Sequence, residues 1–460
     1  MTEGPAAAAG PRAPIAAGWG TAARHALLAF GAALGIAEAF ALAVWALGRT
    51  GLSFGSALEL GGLYLGALHR IPIRLQGSGL DVSQLTAGQA SVGSFRVDVA
   101  VVPLVATAIA AWLLWRGGRA FADEVGGGLL ARALHGAKVA PVYAAPVLLV
   151  ALIARIDAGI PSWSIVEGSL RLAAAGGWSL LLPPVLAAAA GAAGGLASRA
   201  TGDRARTVGA ILAGAWWMLL FGLGLSFAGL FAAGIIRPDG AEALLTPSTG
   251  RYYQSVFRAP GTGAVLLGHH LALMPNEAVW VLVPSMGGCT GAFPDAAEPE
   301  RFLCYGRFPR EIAAPASVVP PPGTAAPVPQ TRFGLAPLGY FIFPLVPAVA
   351  TFLGGRRAAR SGAAARPRDA ALLGACSGVV FGVLVVVVAW LGSLSLSGAV
   401  RLGEVLDLSG RVRFGPGLVG AWLLGTAWGV AGGLAGGAVT ARRRSRSSGA
   451  PGAPGSRPPH

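Results

Sequence analysis

Charge is scarce in this chain. Only 12% of its 460 residues are Asp, Glu, Lys or Arg, whereas 54% are apolar and the mean hydropathy is +0.63. A soluble domain carries about a quarter charged residues, so water does not face most of this surface. Lysine is nearly absent too: the 35 basic residues comprise one lysine, Lys138, and otherwise arginine. Cysteine is limited to three positions, which excludes a disulfide-dense small secreted fold. No H-E-x-x-H, paired C-x-x-C or phosphate-binding glycine loop occurs, so no cofactor, metal or catalytic residues are expected and the chain reads as no enzyme. The net charge of +15 would suggest nucleic acid in a soluble protein. Here the arginines flank apolar runs, so they read as topology signals and no nucleic-acid partner is expected.

The long apolar runs point to a lipid bilayer as the main partner. Eight are long enough to cross it as helices: 26–48, 97–115, 138–155, 178–198, 208–235, 335–354, 370–392 and 416–438. The expected class is an all-α polytopic membrane protein. The stretch 1–24, rich in Ala, Gly and Pro, reads as a disordered cytoplasmic start. The first apolar run is too long for a cleaved leader. With the N-terminus inside, the short cytoplasmic pieces hold nineteen basic residues, against sixteen on outer pieces of about twice the length. That bias predicts both termini inside, at a bacterial plasma membrane. The tail 440–460 reads as basic, disordered and lying on anionic lipid. Residues 236–334 form the one large outer segment, ending in a Pro-rich linker at 313–330.

The spans suggest two sets of four, 25–206 and 207–439. Gly117-Gly118-Arg119 and Gly354-Gly355-Arg356 close the second and sixth. "GGLA" closes the fourth at 194–197 and the eighth at 432–435, nearly the same distance on from each Gly-Gly-Arg. Four spans per set would make this a parallel 4+4 repeat. Gly425, Gly429, Gly433 and Gly437 stand four apart and so share one helix face, where small side chains let backbones approach in lipid.

Two outer stretches, 52–70 and 262–283, are apolar but interrupted by ionisable groups. A full crossing by either would invert every later span, so each reads as re-entrant or interfacial. Pro275 is expected to break the second, placing Asn276 and Glu277 at a turn. His269, His270 and Glu277 form a candidate polar site facing water at the interface. Adjacent histidines point about 100° apart on a helix, which argues against one shared metal ion. Glu38, near the middle of the first span, joins this candidate set. An acid there costs about 2.5–3.5 kcal/mol on insertion scales unless neutral or partnered. His25, His69 and Arg70 are conceivable partners. Cys289 and Cys304 both fall in the outer segment and are expected to form a disulfide. Cys376 is expected to pack within the seventh span.

The blocks "VPLVATAIAAWLLWRGGRA" (102–120), "LALMPNEAVWVLV" (271–283) and "GAVRLGEV" (398–405) resemble segments of the PerM-type polytopic membrane proteins of high-GC Gram-positive bacteria, and of the streptophobe group. The resemblance implies a non-enzymatic role in the cell envelope or cell division, with membrane-protein partners and no catalytic residues to carry over. The alternative is a secondary transporter or channel-like protein using Glu38, with its small-molecule ligand unidentified.

Overall fold

The structure is a computed structural model. It describes residues 18–48, 53–81, 92–159, 167–198, 203–236, 260–295, 300–305, 307–312, 331–335, 342–362, 366–402 and 406–448. The linker 313–330 and the tail beyond 448 lie outside the described residues.

The chain is mostly helical. Long runs of Ala, Leu and Val without polar breaks favour helix in lipid, where every backbone group must be satisfied within its own segment. The helices are α1 (Trp19–Gly48), α2 (Phe54–Ala67), α3 (Leu104–Val125), α4 (Leu129–Ala137), α5 (Val139–Ile153), α6 (Leu182–Leu196), α7 (Asp203–Ile236), α8 (Pro260–Ser285), α9 (Leu345–Ser361), α10 (Pro367–Leu391) and α11 (Leu418–Ser448). Among the described residues, six spans are long and apolar enough to cross a membrane: 19–47, 129–153 (α4 with α5), 178–196, 206–229, 367–391 and 418–442. The expected spans 97–115 and 335–354 are not among them. α9 has only 17 residues, and the second half of α3 carries Arg116, Arg119, Asp123 and Glu124.

Between these helices the described residues include ten strands, which the expectation of an all-α chain did not include. They are β1 (Ile73–Asp81), β2 (Val92–Ala100), β3 (Arg155–Gly159), β4 (Glu167–Ala174), β5 (Cys289–Pro294), β6 (Glu300–Cys304), β7 (Arg307–Ile312), β8 (Thr331–Leu335), β9 (Leu394–Leu402) and β10 (Leu406–Pro416). They form one antiparallel sheet in the order β3-β4-β1-β2-β9-β10-β5-β6-β7-β8. Every strand lies in a stretch read from sequence as an outer loop or as the edge of a span. Alternation such as Arg74, Gln76 and Ser78 against Ile73 and Leu75 suits a sheet with one wet face. The β2–β9 ladder, from Gly93↔Leu402 to Ala100↔Ser395, joins the first half of the chain to the second.

Local expectations shift accordingly. Residues 97–100 belong to β2, not to a span. α1 begins at Trp19, so 19–24 are helical rather than disordered. α11 runs on to Ser448, so the tail is helical at least that far. Pro275 does not break its segment: α8 is continuous through it. Proline removes one helix hydrogen bond, and the packing of α8 against its neighbours holds the helix regardless.

The core is built on small residues. Ala22, Ala26, Ala29, Ala33 and Ala37 make a fully buried stripe on α1. Gly425, Gly429, Gly433 and Gly437 of α11 face Gly382, Gly378, Gly374 and Ala370 of α10 in turn. On its other side, Gly432 and Gly436 of α11 press on Thr351 and Phe352 of α9. Without Cβ atoms the backbones meet directly, and dispersion between them replaces the hydrophobic drive that lipid does not supply. Cys376, expected to pack, is exposed on the outside of α10.

Candidate functional site

The polar residues singled out from sequence fall into separate places. His269 and His270 do diverge. His269 Nε2 stands 3.1 Å from the Tyr64 hydroxyl of α2, its Nδ1 lies 2.8 Å from the Val265 carbonyl, and its ring meets Phe40 of α1 edge-on. His270 points along its own helix, with Nδ1 3.5 Å from Glu277 Oε1. Both members of this pair are largely withdrawn from solvent, with side-chain exposures of 3% and 17%. The expected water-facing patch is therefore a buried pair, because α1, α3 and α7 cover α8. Glu38 packs over Gly61 of α2, and its Oε2 is buried without a hydrogen-bond partner among the described residues. The conceivable partners lie elsewhere. His69 bridges the Leu65 carbonyl and the Tyr143 hydroxyl of α5, at 2.9 and 2.7 Å. Among the described residues, no three His, Cys, Asp or Glu side chains converge as a metal site would require.

A second polar cluster lies at the seam between the halves. Arg70, buried at the turn from α2 into β1, is the only non-glycine residue at positive φ (60°) among those described. A left-handed arginine costs about 1–2 kcal/mol, so something must hold it. Its Nη1 donates to the Leu391 and Ser393 carbonyls at 3.0 and 2.9 Å, and its Nη2 to Ser395 Oγ at 2.8 Å. The guanidinium also lies 4.7 Å from the Trp390 ring centroid. A cation from the first half thus caps the C-terminus of α10 in the second, where the helix dipole favours positive charge. Arg413 of β10 donates to Ser393 Oγ and the Pro416 carbonyl. Burial pushes Arg70 down to about 10, with the Arg413 charge adding to it, and burial lowers Arg413 as well.

The reciprocal tie is Asn276. Its Nδ2 donates to the Val102 carbonyl at 2.6 Å and more weakly to Gly392 at 3.4 Å, while its Oδ1 accepts from the Leu104 amide at 3.2 Å. Trp280 Nε1 donates to the same Gly392 carbonyl. α8 of the second half therefore holds the β2–α3 corner of the first. Sequence reasoning placed Asn276 at a turn and offered Arg70 only to Glu38. The usable signal was arginine beside an apolar run with no nearby acid; its partners are backbone carbonyls in the other half of the chain.

Cys289 and Cys304 face each other across β5 and β6, with their sulfurs at bonding distance. No family model, curated protein or solved structure matches this chain.

Proposed function

We propose that the chain is a rigid, non-enzymatic membrane scaffold that presents its ten-stranded sheet on the outer side of a plasma membrane. The six long apolar helices make it an integral membrane protein. In this reading α3 and α9 also cross, giving eight spans with both termini inside. α2 and α8 enter from the sheet side and turn back through left-handed Arg70 and Gly287 (φ 103°) into β1 and β5. A 4+4 duplication is supported by contact register. Gly191 of α6 lies against Gly118 and Gly136, as Gly433 of α11 lies against Gly355 and Gly374. The strands repeat as β3-β4-β1-β2 and β9-β10-β5-β6. This register sets Gly194 and Gly195 opposite Gly436 and Gly437, one helical turn from the "GGLA" match.

The β2–β9 ladder carries the scaffold reading. Alternating access needs one repeat to rock against the other. Here eight backbone-paired positions, with buried Arg70 and Asn276 across the same seam, oppose that motion. A role in the cell envelope or in division rests on the resemblance to PerM-type proteins. The runner-up, a transporter, is favoured by one observation, the unpartnered Oε2 of Glu38. Proteoliposomes loaded with a proton or sodium gradient separate the two. A scaffold leaves the gradient intact. Dissipation that is abolished by Glu38→Gln overturns the scaffold and establishes the transporter.

A further inference from the structure

The sheet has two unlike faces. Residues directly opposite on antiparallel strands share a face, and neighbours along a strand alternate. One face carries Gln76, Arg96, Ser397, Ser409 and Arg411. Water reaches it, because the side chains of Arg96 and Arg411 are 53% and 62% exposed. The other face is apolar across both halves of the chain. Ile73, Val99, Leu396 and Val412 form one row on it. Leu172, Leu75, Val97, Gly398 and Gly410 form the next, and Leu170, Gly77 and Phe95 a third.

This apolar face begins where the helices end. Its first row adjoins the ends of α2, α3, α10 and α11. At the base of the first half, Ile73, Leu172 and Ala174 pack against Ala41, Leu60 and Leu63 of α1 and α2. Elsewhere the cover is thinner: Leu75, Phe95, Val97, Leu170 and Val412 are half-buried. Along the paired strands β9 and β10 the relief falls away from the helices. Leu394 faces Phe414, Leu396 faces Val412, and Gly398 faces Gly410. Val97 stands beside Gly398, but a Cβ on exposed Gly410 would meet nothing within 4 Å among the described residues. The track thus ends in an open floor without side chains. Apolar surface left in water is unfavourable in proportion to its area, and a sheet with one wet face packs the other on something apolar.

We propose that this face takes an acyl chain of a membrane phospholipid, drawn out of the leaflet at the helix ends and laid past Phe414 and Val412 onto Gly410. Continuity with the bilayer decides the occupant. A lipid tail reaches Gly410 from the hydrocarbon without passing a polar side chain on that face. From Phe414 to Gly410 the track is four residues of strand, about 13 Å, within the roughly 15 Å that the tails of one leaflet span. The seat requires only that the helices sit in a bilayer, so it does not depend on the scaffold reading.

The test is photo-cross-linking of the full chain in nanodiscs whose phosphatidylcholine carries a photoactivatable group at the tail end. Cross-links mapped by mass spectrometry should fall on β9 and β10 as well as on the helices. Gly410→Trp fills the open floor and should abolish the strand label. The helix label should persist, which shows that the variant still sits in lipid. Ser409→Trp, on the polar face, should leave both labels unchanged. Labels on the helices alone overturn the proposal. So does a strand label that survives Gly410→Trp, or one that Ser409→Trp also removes. Strand labelling by a photoactivatable free fatty acid, but not by the phospholipid, would put the source of the ligand in water and overturn the membrane assignment.

Discussion

A methyl group added at Gly429 tests whether glycine contact holds the second half together. Gly429 lies at the centre of the α10–α11 seam. A Cβ there would stand 2.5 Å from the Gly378 carbonyl oxygen and 2.7 Å from the Gly378 Cα, while ordinary contact begins at 3.4 Å. The helices must therefore part by about 0.9 Å at that point. α11 cannot simply tilt away, because three residues on, Gly432 already presses on Thr351 of α9. Overpacking of this kind costs about 1–3 kcal/mol. Alanine recovers about 1 kcal/mol through helix propensity, so Gly429→Ala alone could look nearly neutral. The control is Gly35→Ala on α1, where a Cβ meets nothing within 4 Å. It has the same propensity gain and no clash. The difference between the two variants isolates the packing cost, about 1–3 kcal/mol. Unfolding in one detergent, followed by steric trapping or thermal fluorescence, measures it. If Gly429→Ala is as stable as Gly35→Ala, backbone contact does not hold this seam and the account of the core is wrong.

Asn276→Leu strands the buried Leu104 amide and the Val102 carbonyl and should lower stability by about 1–3 kcal/mol, read in the same unfolding assay; a loss below a few tenths refutes the tie across the seam. Arg74 is bonded to Asp98 at 2.7 and 3.0 Å, and that hydrogen bond raises its pKa above the ordinary arginine value. Stability gained from a raised pKa is complete below the ordinary arginine value of the unfolded chain and fades only as pH climbs past the folded one. Arg74→Gln should therefore cost the same at pH 6 and pH 9, and a penalty that changes between them counts against the assignment. For orientation, in a Cys376→Ala background with the disulfide intact, an impermeant maleimide on intact cells should label Ser169→Cys and spare Arg368→Cys. The reverse pattern inverts the topology.

The polar residues show where sequence reading stopped. Glu38 and the His269–His270–Glu277 group stood out because ionisable residues are rare in apolar runs. The helical divergence of the two histidines followed from their adjacency, and the structure has it. Their burial did not follow, since it depends on α1, α3 and α7 closing over α8. The strands were missed because their residues lie in short stretches beside longer apolar runs. "LSLSGAVRL" directly continues α10, and a window tuned to helices absorbs or skips it. Proline misled in α8, where tertiary packing outweighs the loss of one backbone bond.

Composition and local pattern were enough to point to lipid as the solvent, to mark most of the runs that are helical in it, and to show which helix face carries glycine. These depend on near neighbours and on the 3.6-residue period, and need no distant partner to be known. The folded chain was needed to see that ten short segments from both halves join one sheet, and that Arg70 caps a helix 321 residues away. Such features arise when distant segments meet in space, and that information is carried by the packing of the whole chain.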